Sequence, residues 1–316
     1  MKFTTQIPIS KTEYPIDHSA KIVSIGSCFA ENMAIKLDYF KFQNSVNPFG
    51  IIFNPISIEK LVSRAVNDKL FTENDVFFHD LLWKCFDVHS DYSAEDKDQL
   101  LEILNQKLQN FKQQLTSATH IIFTFGTSWV YELDKNKNVV ANCHKVAQNQ
   151  FNKKIVSVQS IEKSILNTYK LISEINPNCQ IIYTISPVRH LKDGFIENTQ
   201  SKANLIVGLQ SILQYNADRV VYFPSFEIMM DELRDYRFYA DDLIHPSKMA
   251  VDYIWQRFAE TYFSEKTLAI TVQIDKINKA LLHRPLHINS TTHTLFQANL
   301  KHKIDEFSLK NPTIAF

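Results

Sequence analysis

The chain has 316 residues, of which 45% are hydrophobic, and 34 basic side chains stand against 34 acidic ones. That length allows a large buried core, as one α/β domain or a domain with an appendage, and the longest apolar runs fall far short of the roughly 20 residues of a membrane-spanning helix. The balanced charge provides no global field to attract nucleic acid or an anionic membrane, so neither is expected as a partner.

Residues 1–12 lack the apolar stretch and small-residue cleavage site of a secretory signal, which makes the cytoplasm the expected location. Ile22-Val23-Ser24-Ile25 reads as a buried strand and breaks at Gly26 into a helical pattern carrying Phe29, Met33, Ile35 and Leu37. Phe42 to Val46 is the expected second strand, and Pro55 opens a helix with Ile56, Ile58, Leu61 and Val62 along one side. Alternating aromatics between Asp75 and Tyr92 predict a β-hairpin insertion, in which Phe77, Phe78 and Trp83 are expected as core packing. Leu100 to Leu115 follows as a helix, and His120 to Phe125 is the clearest strand, ending at Gly126. Ile161, Ile165, Tyr169 and Ile172 then mark a helix, Gln180 to Ile185 a strand, Thr199 to Gln214 a helix and Arg219 to Phe223 the last strand. Pro246 precedes a helix over residues 247–263, and beyond Lys266 the pattern is helical, broken at Pro285 and Asn289. Strands alternating with helices imply right-handed crossovers and a mostly parallel sheet covered on both faces, with ligands at the carboxyl ends of its strands. The expected organisation is a domain over residues 1–265, with an insertion at about 70–117, and a helical extension over 266–316.

Only five glycines occur, where average composition would give about twenty. Gly26 and Gly126 directly follow strand-like runs, and Gly50 lies behind Asn47-Pro48. A nucleophile after a strand and at the head of a helix meets free backbone N–H groups and a favourable helix dipole. For Cys28 this predicts a lowered thiol pKa; the alternative is that Ser27 only caps the helix while Cys28 packs beneath it. Asp242-Leu243-Ile244-His245 places a carboxylate three residues before a histidine, on the loop after the last strand, where it can orient the ring as that ring takes a proton from a nucleophile.

Gly26-Ser27-Cys28-Phe29-Ala30-Glu31-Asn32 resembles the name-giving signature of the GSCFA domain proteins, a bacterial branch of the SGNH (GDSL-like) hydrolases. The resemblance spans roughly residues 20 to 260 and takes in Asn47-Pro48-Phe49-Gly50, Asn142-Cys143-His144-Lys145, Ser186-Pro187-Val188-Arg189-His190 and Asp242 to His245. It implies a flavodoxin-like, three-layer α/β/α fold. In that superfamily's register Cys28 falls at the nucleophile, with Ser27 the runner-up one residue away. A glycine of the second block donates to the oxyanion, with Gly50 as its counterpart. The third block falls on Gly126-Thr127-Ser128-Trp129, so Ser128 stands where that block has its asparagine donor and, with Gly126 and Gly50, is a candidate for the oxyanion site. Losing one such donor typically costs on the order of a hundred- to a thousand-fold in rate, unless Ser128 or another group such as Asn142 substitutes for it.

Asn142, His144, Arg189 and His190 are candidate substrate contacts, with Arg189 suited to grip a carboxylate or phosphate; the alternative is that they hold loops in place, the reading preferred for His89. His283-Arg284-Pro285 reads as a solvated turn rather than a lid. Cys28, Cys85, Cys143 and Cys179 form no CxxC pair and are expected as free thiols. No metal or other cofactor is expected. Together these features predict acyl transfer or hydrolysis on a hydroxylated substrate such as a carbohydrate ester, through an acyl-enzyme. The competing expectation is a degraded hydrolase fold that binds a glycan or peptide without turning it over. A nucleotide binder is disfavoured because neither GxGxxG nor GxxxxGK[ST] occurs.

Overall fold

The structure, a computed structural model, describes residues 4–215, 219–288 and 290–316. Its centre is a five-stranded, all-parallel sheet built from β1 (Lys21–Gly26), β2 (Gln43–Val46), β6 (His120–Phe125), β10 (Gln180–Ile185) and β11 (Val220–Phe223), in the order β11-β10-β6-β1-β2. Numbered among themselves, these strands run 2-1-3-4-5, the flavodoxin-like order. Every residue of β6 and β10 is buried, as expected of central parallel strands covered on both faces.

Side chains alternate between two cores. Val23, Ile25, Ile121, Phe123 and Ile181 face α2 (Pro55–Val66), α3 (Lys97–Ser117), α4 (Val158–Ile175) and α5 (Phe195–Tyr215). Ile22, Ile122 and Ile182 face α1 (Cys28–Tyr39) and α7 (Lys248–Tyr262). A single turn, α6 (Ser225–Glu227), follows β11. The α/β/α class and the strand order therefore match the sequence reading, although α5 starts four residues earlier than its apolar pattern suggested.

Two small antiparallel sheets leave this frame. The first contains β3 (Val76–His79), β4 (Leu82–Cys85) and β5 (Ser93–Ala94); the second contains β7 (Trp129–Leu133), β8 (Val139–Val140) and β9 (Phe151–Ile155). The expected insertion at 70–117 is thus corrected. Its sheet is an excursion, but α3 buries Leu100, Leu104, Leu108, Phe111 and Leu115 in the main core and covers the central sheet. Phe77 stacks on Phe86 at 3.9 Å, while Phe78 is exposed. Beyond the domain, α8 (Glu265–Leu281) and α9 (Thr291–Lys310) form the C-terminal helices, with Pro285 between them; Asn289 lies outside the described residues. No helix among the described residues is long and apolar enough to cross a membrane.

Candidate active site

The chain leaves β1 through Gly26, whose φ is +154° and whose Cα is so close to β6 that an added Cβ would lie 2.2 Å from the Thr124 carbonyl oxygen. Only glycine fits there. Asn47 completes the turn: its Oδ1 accepts from the Gly26 N–H at 2.8 Å and its Nδ2 donates to Glu31 Oε1 at 3.2 Å. Sequence reasoning assigned this block's chemistry to Gly50 and missed Asn47.

Ser27 caps α1, with its Oγ accepting from the Phe29 N–H at 3.2 Å and its carbonyl from the Ala30 N–H at 2.8 Å. Its 2% exposure contrasts with the partly open Cys28. Both line a cleft of about 540 Å³ at the carboxyl ends of β1, β6 and β10, together with Phe53, Asn142, Arg189, His190 and His245. This is where ligands bind in doubly wound sheets. A larger cavity, about 630 Å³, lies between the segment 7–14 and β11 and contains none of the candidate residues.

The expected lowering of the Cys28 pKa is corrected. Burial, followed by the negative charge of Glu31, raises it above the ordinary thiol value. The N–H groups of Cys28 and Phe29 and the charge of Lys202 oppose this without reversing it. A thiol at the head of a helix therefore gains the dipole but loses more through desolvation.

Asp242 and His245 form a compact unit on the loop before α7. Asp242 Oδ2 lies 2.6 Å from His245 Nδ1, and its Oδ1 accepts from the backbone N–H groups of Ile244 and His245, each at 2.9 Å. Those bonds, the His245 N–H first, hold the Asp242 carboxyl down at about 2. Because the carboxylate is ionised, Nδ1 carries the ring proton, which leaves Nε2 of the neutral imidazole as the proton acceptor. Arg189 braces this loop. Its backbone N–H donates to Ile244 O, its guanidinium donates to Leu243 O, both at 3.1 Å, and the guanidinium carbon lies 5.4 Å from the centroid of each of the Phe195 and Tyr239 rings.

The oxyanion candidates do not assemble as expected. The Gly50 N–H donates to Asn47 O, and a Cβ there would meet His89; the Gly126 N–H donates to Phe53 O. Ser128 is fully buried, its N–H bonded to Ser201 Oγ and its own Oγ donating to Ser201 O. All three are spent within the fold. His144 is likewise corrected: it is 2% exposed, beneath Phe77 and Phe86, with Nε2 on Cys85 O at 2.7 Å. Asn142 does reach the cleft, and since its Oδ1 accepts from the His144 N–H, its amide N–H₂ has no partner among the described residues. The His190 ring covers Gly126, and burial, then the charges of Lys202 and His245, lower its pKa to about 3, so it is neutral. His89 pairs with Asp91, and His283 and Arg284 are exposed between α8 and α9.

Residues 21–258 match the model of the GSCFA family, and residues 274–316 match that of the GSCFA domain protein C-terminal domain. The chain belongs to the GSCFA family. This GSCFA chain has no match among curated proteins. Among solved structures it is similar to an acetyl xylan esterase from the rumen bacterium Butyrivibrio proteoclasticus, at 10% identity and a TM-score of 0.40, covering 81% of this chain and 64% of that one. It is also similar to a carbohydrate esterase family 3 protein from Talaromyces cellulolyticus, at 9% identity and a TM-score of 0.36, covering 80% of this chain and 98% of that one. The chain thus spans under two thirds of the first esterase's length. Among the described residues no group of three or more His, Cys, Asp or Glu gathers to hold a metal.

Proposed function

We propose that this GSCFA protein is an acyl-transfer enzyme, an esterase or acyltransferase acting on a hydroxylated, carbohydrate-like ester through a covalent intermediate on Cys28. The observation that carries this reading is the Asp242-held His245 lining the same cleft as Cys28. Because the resting group is a thiol, the reaction needs a base. His245 Nε2 takes the Cys28 proton as sulfur attacks the ester carbonyl, and returns it to the departing alkoxide; water or an acceptor hydroxyl then releases the acyl group. Among the described residues the Cys28 N–H pairs with no carbonyl or side chain of another residue, so with the Asn142 amide it is the proposed donor pair to the oxyanion. Arg189 and His190, which line the same cleft, remain the proposed substrate contacts. Incubation with an activated acetyl ester should add one acetyl group, absent from Cys28→Ala and present on Ser27→Ala. An adduct that survives Cys28→Ala and disappears in Ser27→Ala would move the nucleophile to Ser27.

The buried, internally bonded Ser128 favours one other reading, a binding module descended from a hydrolase. Glycan binding that persists in His245→Ala, with no acyl adduct on the parent, would support it.

A further inference from the structure

The C-terminal helices line none of the proposed active site, yet the chain around the bend between them has a composition of its own. From residue 276 to residue 304 the sequence contains Lys276, Lys279, Arg284, Lys301 and Lys303 and not one aspartate or glutamate, although basic and acidic residues balance over the whole chain. The overall balance therefore conceals a local excess of positive charge. All five cations are exposed. Lys279 pairs with Asp275 on its own helix at 2.6 Å, and among the described residues no carboxylate pairs with the other four. Lys276 of α8 and Lys303 of α9 line one groove of about 280 Å³ together with Phe296 and Leu300, so both helices contribute cations to one face.

The bend itself is apolar. α8 ends ahead of Pro285, and α9 starts behind its Ser290 cap, whose Oγ accepts from the His293 N–H at 3.2 Å. Across the bend the His283 ring packs on Phe296 at 5.1 Å and holds the two helix ends together. Leu281, Leu282, Leu286, Ile288 and Leu295 are left outside, from 50% to 99% exposed. Single exposed aliphatic side chains are ordinary on a protein surface, but five around one bend are not. A bend that met only water would be served by charges of both signs.

The charge selects an anionic partner, and the side chains select its kind. Nucleic acid offers phosphates to the lysines, but its bases are met by stacked aromatic rings, and leucines on a protruding bend gain little there. A second copy docked bend to bend would bring like charges together. The headgroup region of a bilayer accepts aliphatic side chains without demanding a fixed shape, while its anionic lipids attract lysine and arginine.

We propose that the bend between α8 and α9 docks on an anionic lipid surface, with Leu282, Leu286 and Ile288 entering the headgroup boundary and the five cations lying over anionic headgroups. Asn278, bonded to Tyr39 O at 2.7 Å, ties this docking element to α1 and so holds the α/β domain beside the membrane. The proposal does not depend on the chemistry of the cleft.

The test is co-sedimentation of the full chain with phosphatidylcholine vesicles and with vesicles containing about one third phosphatidylserine. The parent should partition onto the anionic vesicles at least about tenfold more strongly than onto the neutral ones, and the difference should shrink at high salt. Two double variants, Leu286→Ser with Ile288→Ser and Arg284→Gln with Lys303→Gln, change only exposed side chains and should leave the thermal midpoint unchanged. Each should weaken partitioning onto the anionic vesicles roughly tenfold. Absence of the parent from the anionic vesicle pellet, or equal partitioning of the parent and both variants, overturns the proposal. Binding to duplex DNA without binding to either vesicle overturns it in favour of a nucleic-acid partner. Self-association without lipid that is lost in Leu286→Ser with Ile288→Ser overturns it in favour of a second copy of the chain.

Discussion

Asp242 holds its own loop and fixes the tautomer of His245 with one carboxylate. Its folded pKa of about 2 lies below the ordinary 3.8, so its contribution is present in full above the ordinary value and is lost only as pH falls through about 2. The acid limb of any pH–rate profile above about pH 4 is therefore not due to Asp242. Asp242→Asn preserves an acceptor for the two backbone N–H groups but presents a donor to Nδ1, which forces the wrong tautomer. Acylation by an activated ester should fall on the order of a hundredfold or more, with the thermal midpoint nearly unchanged because both side chains are near half exposed. Kinetics and melting curves on the same preparation check this, and an unchanged rate would remove Asp242 from the mechanism. Cys28, Asp242 and His245 were legible in the sequence because each signal is local: a strand broken by glycine, and an acid three residues before a histidine. The raised thiol pKa was not, since it depends on burial and on Glu31, one turn along α1. Nor was the burial of Lys202, which lies on the inward stripe of α5 in step with Leu205 and Leu209.

At the scale of elements, the turn from β1 to α1 is the most constrained part of the site. Gly26→Ala would place a methyl group 2.2 Å from Thr124 O at a backbone conformation that side chains rarely adopt. Strain and overpacking together should cost about 2–4 kcal/mol of stability in denaturant unfolding; a variant as stable as the parent would contradict this turn geometry. The central strands and their helices could be read because β6 and β10 are unbroken apolar runs and α4 repeats its apolar residues at helical spacing. The limits of the insertion were misplaced because amphipathic α3 gives the same pattern whether it covers the central sheet or a side domain. The three oxyanion candidates failed for a related reason: a glycine or serine in a family block does not reveal where its N–H points, and Gly50, Gly126 and Ser128 all bond within the fold.

The crossover from β1 to β2 on one side and back to β6 on the other opens the cleft at the switch of strand order, and the head of α1, the loop after β10 and the loop before α7 furnish its groups. The C-terminal helices attach to the back of α1, where Tyr39 O accepts from Asn278 at 2.7 Å and Phe40 packs with Ile274 and Phe307. None of their residues lines the cleft, so the chemistry is expected to belong to the α/β domain. Cys28 and His245, brought from opposite ends of that domain, are the proposed nucleophile and base. The rate at which an activated acetyl ester acylates Cys28, measured by intact mass in the parent and in His245→Ala, tests that pairing. A loss on the order of a hundredfold or more is predicted for the variant, and equal rates in the two proteins would contradict it.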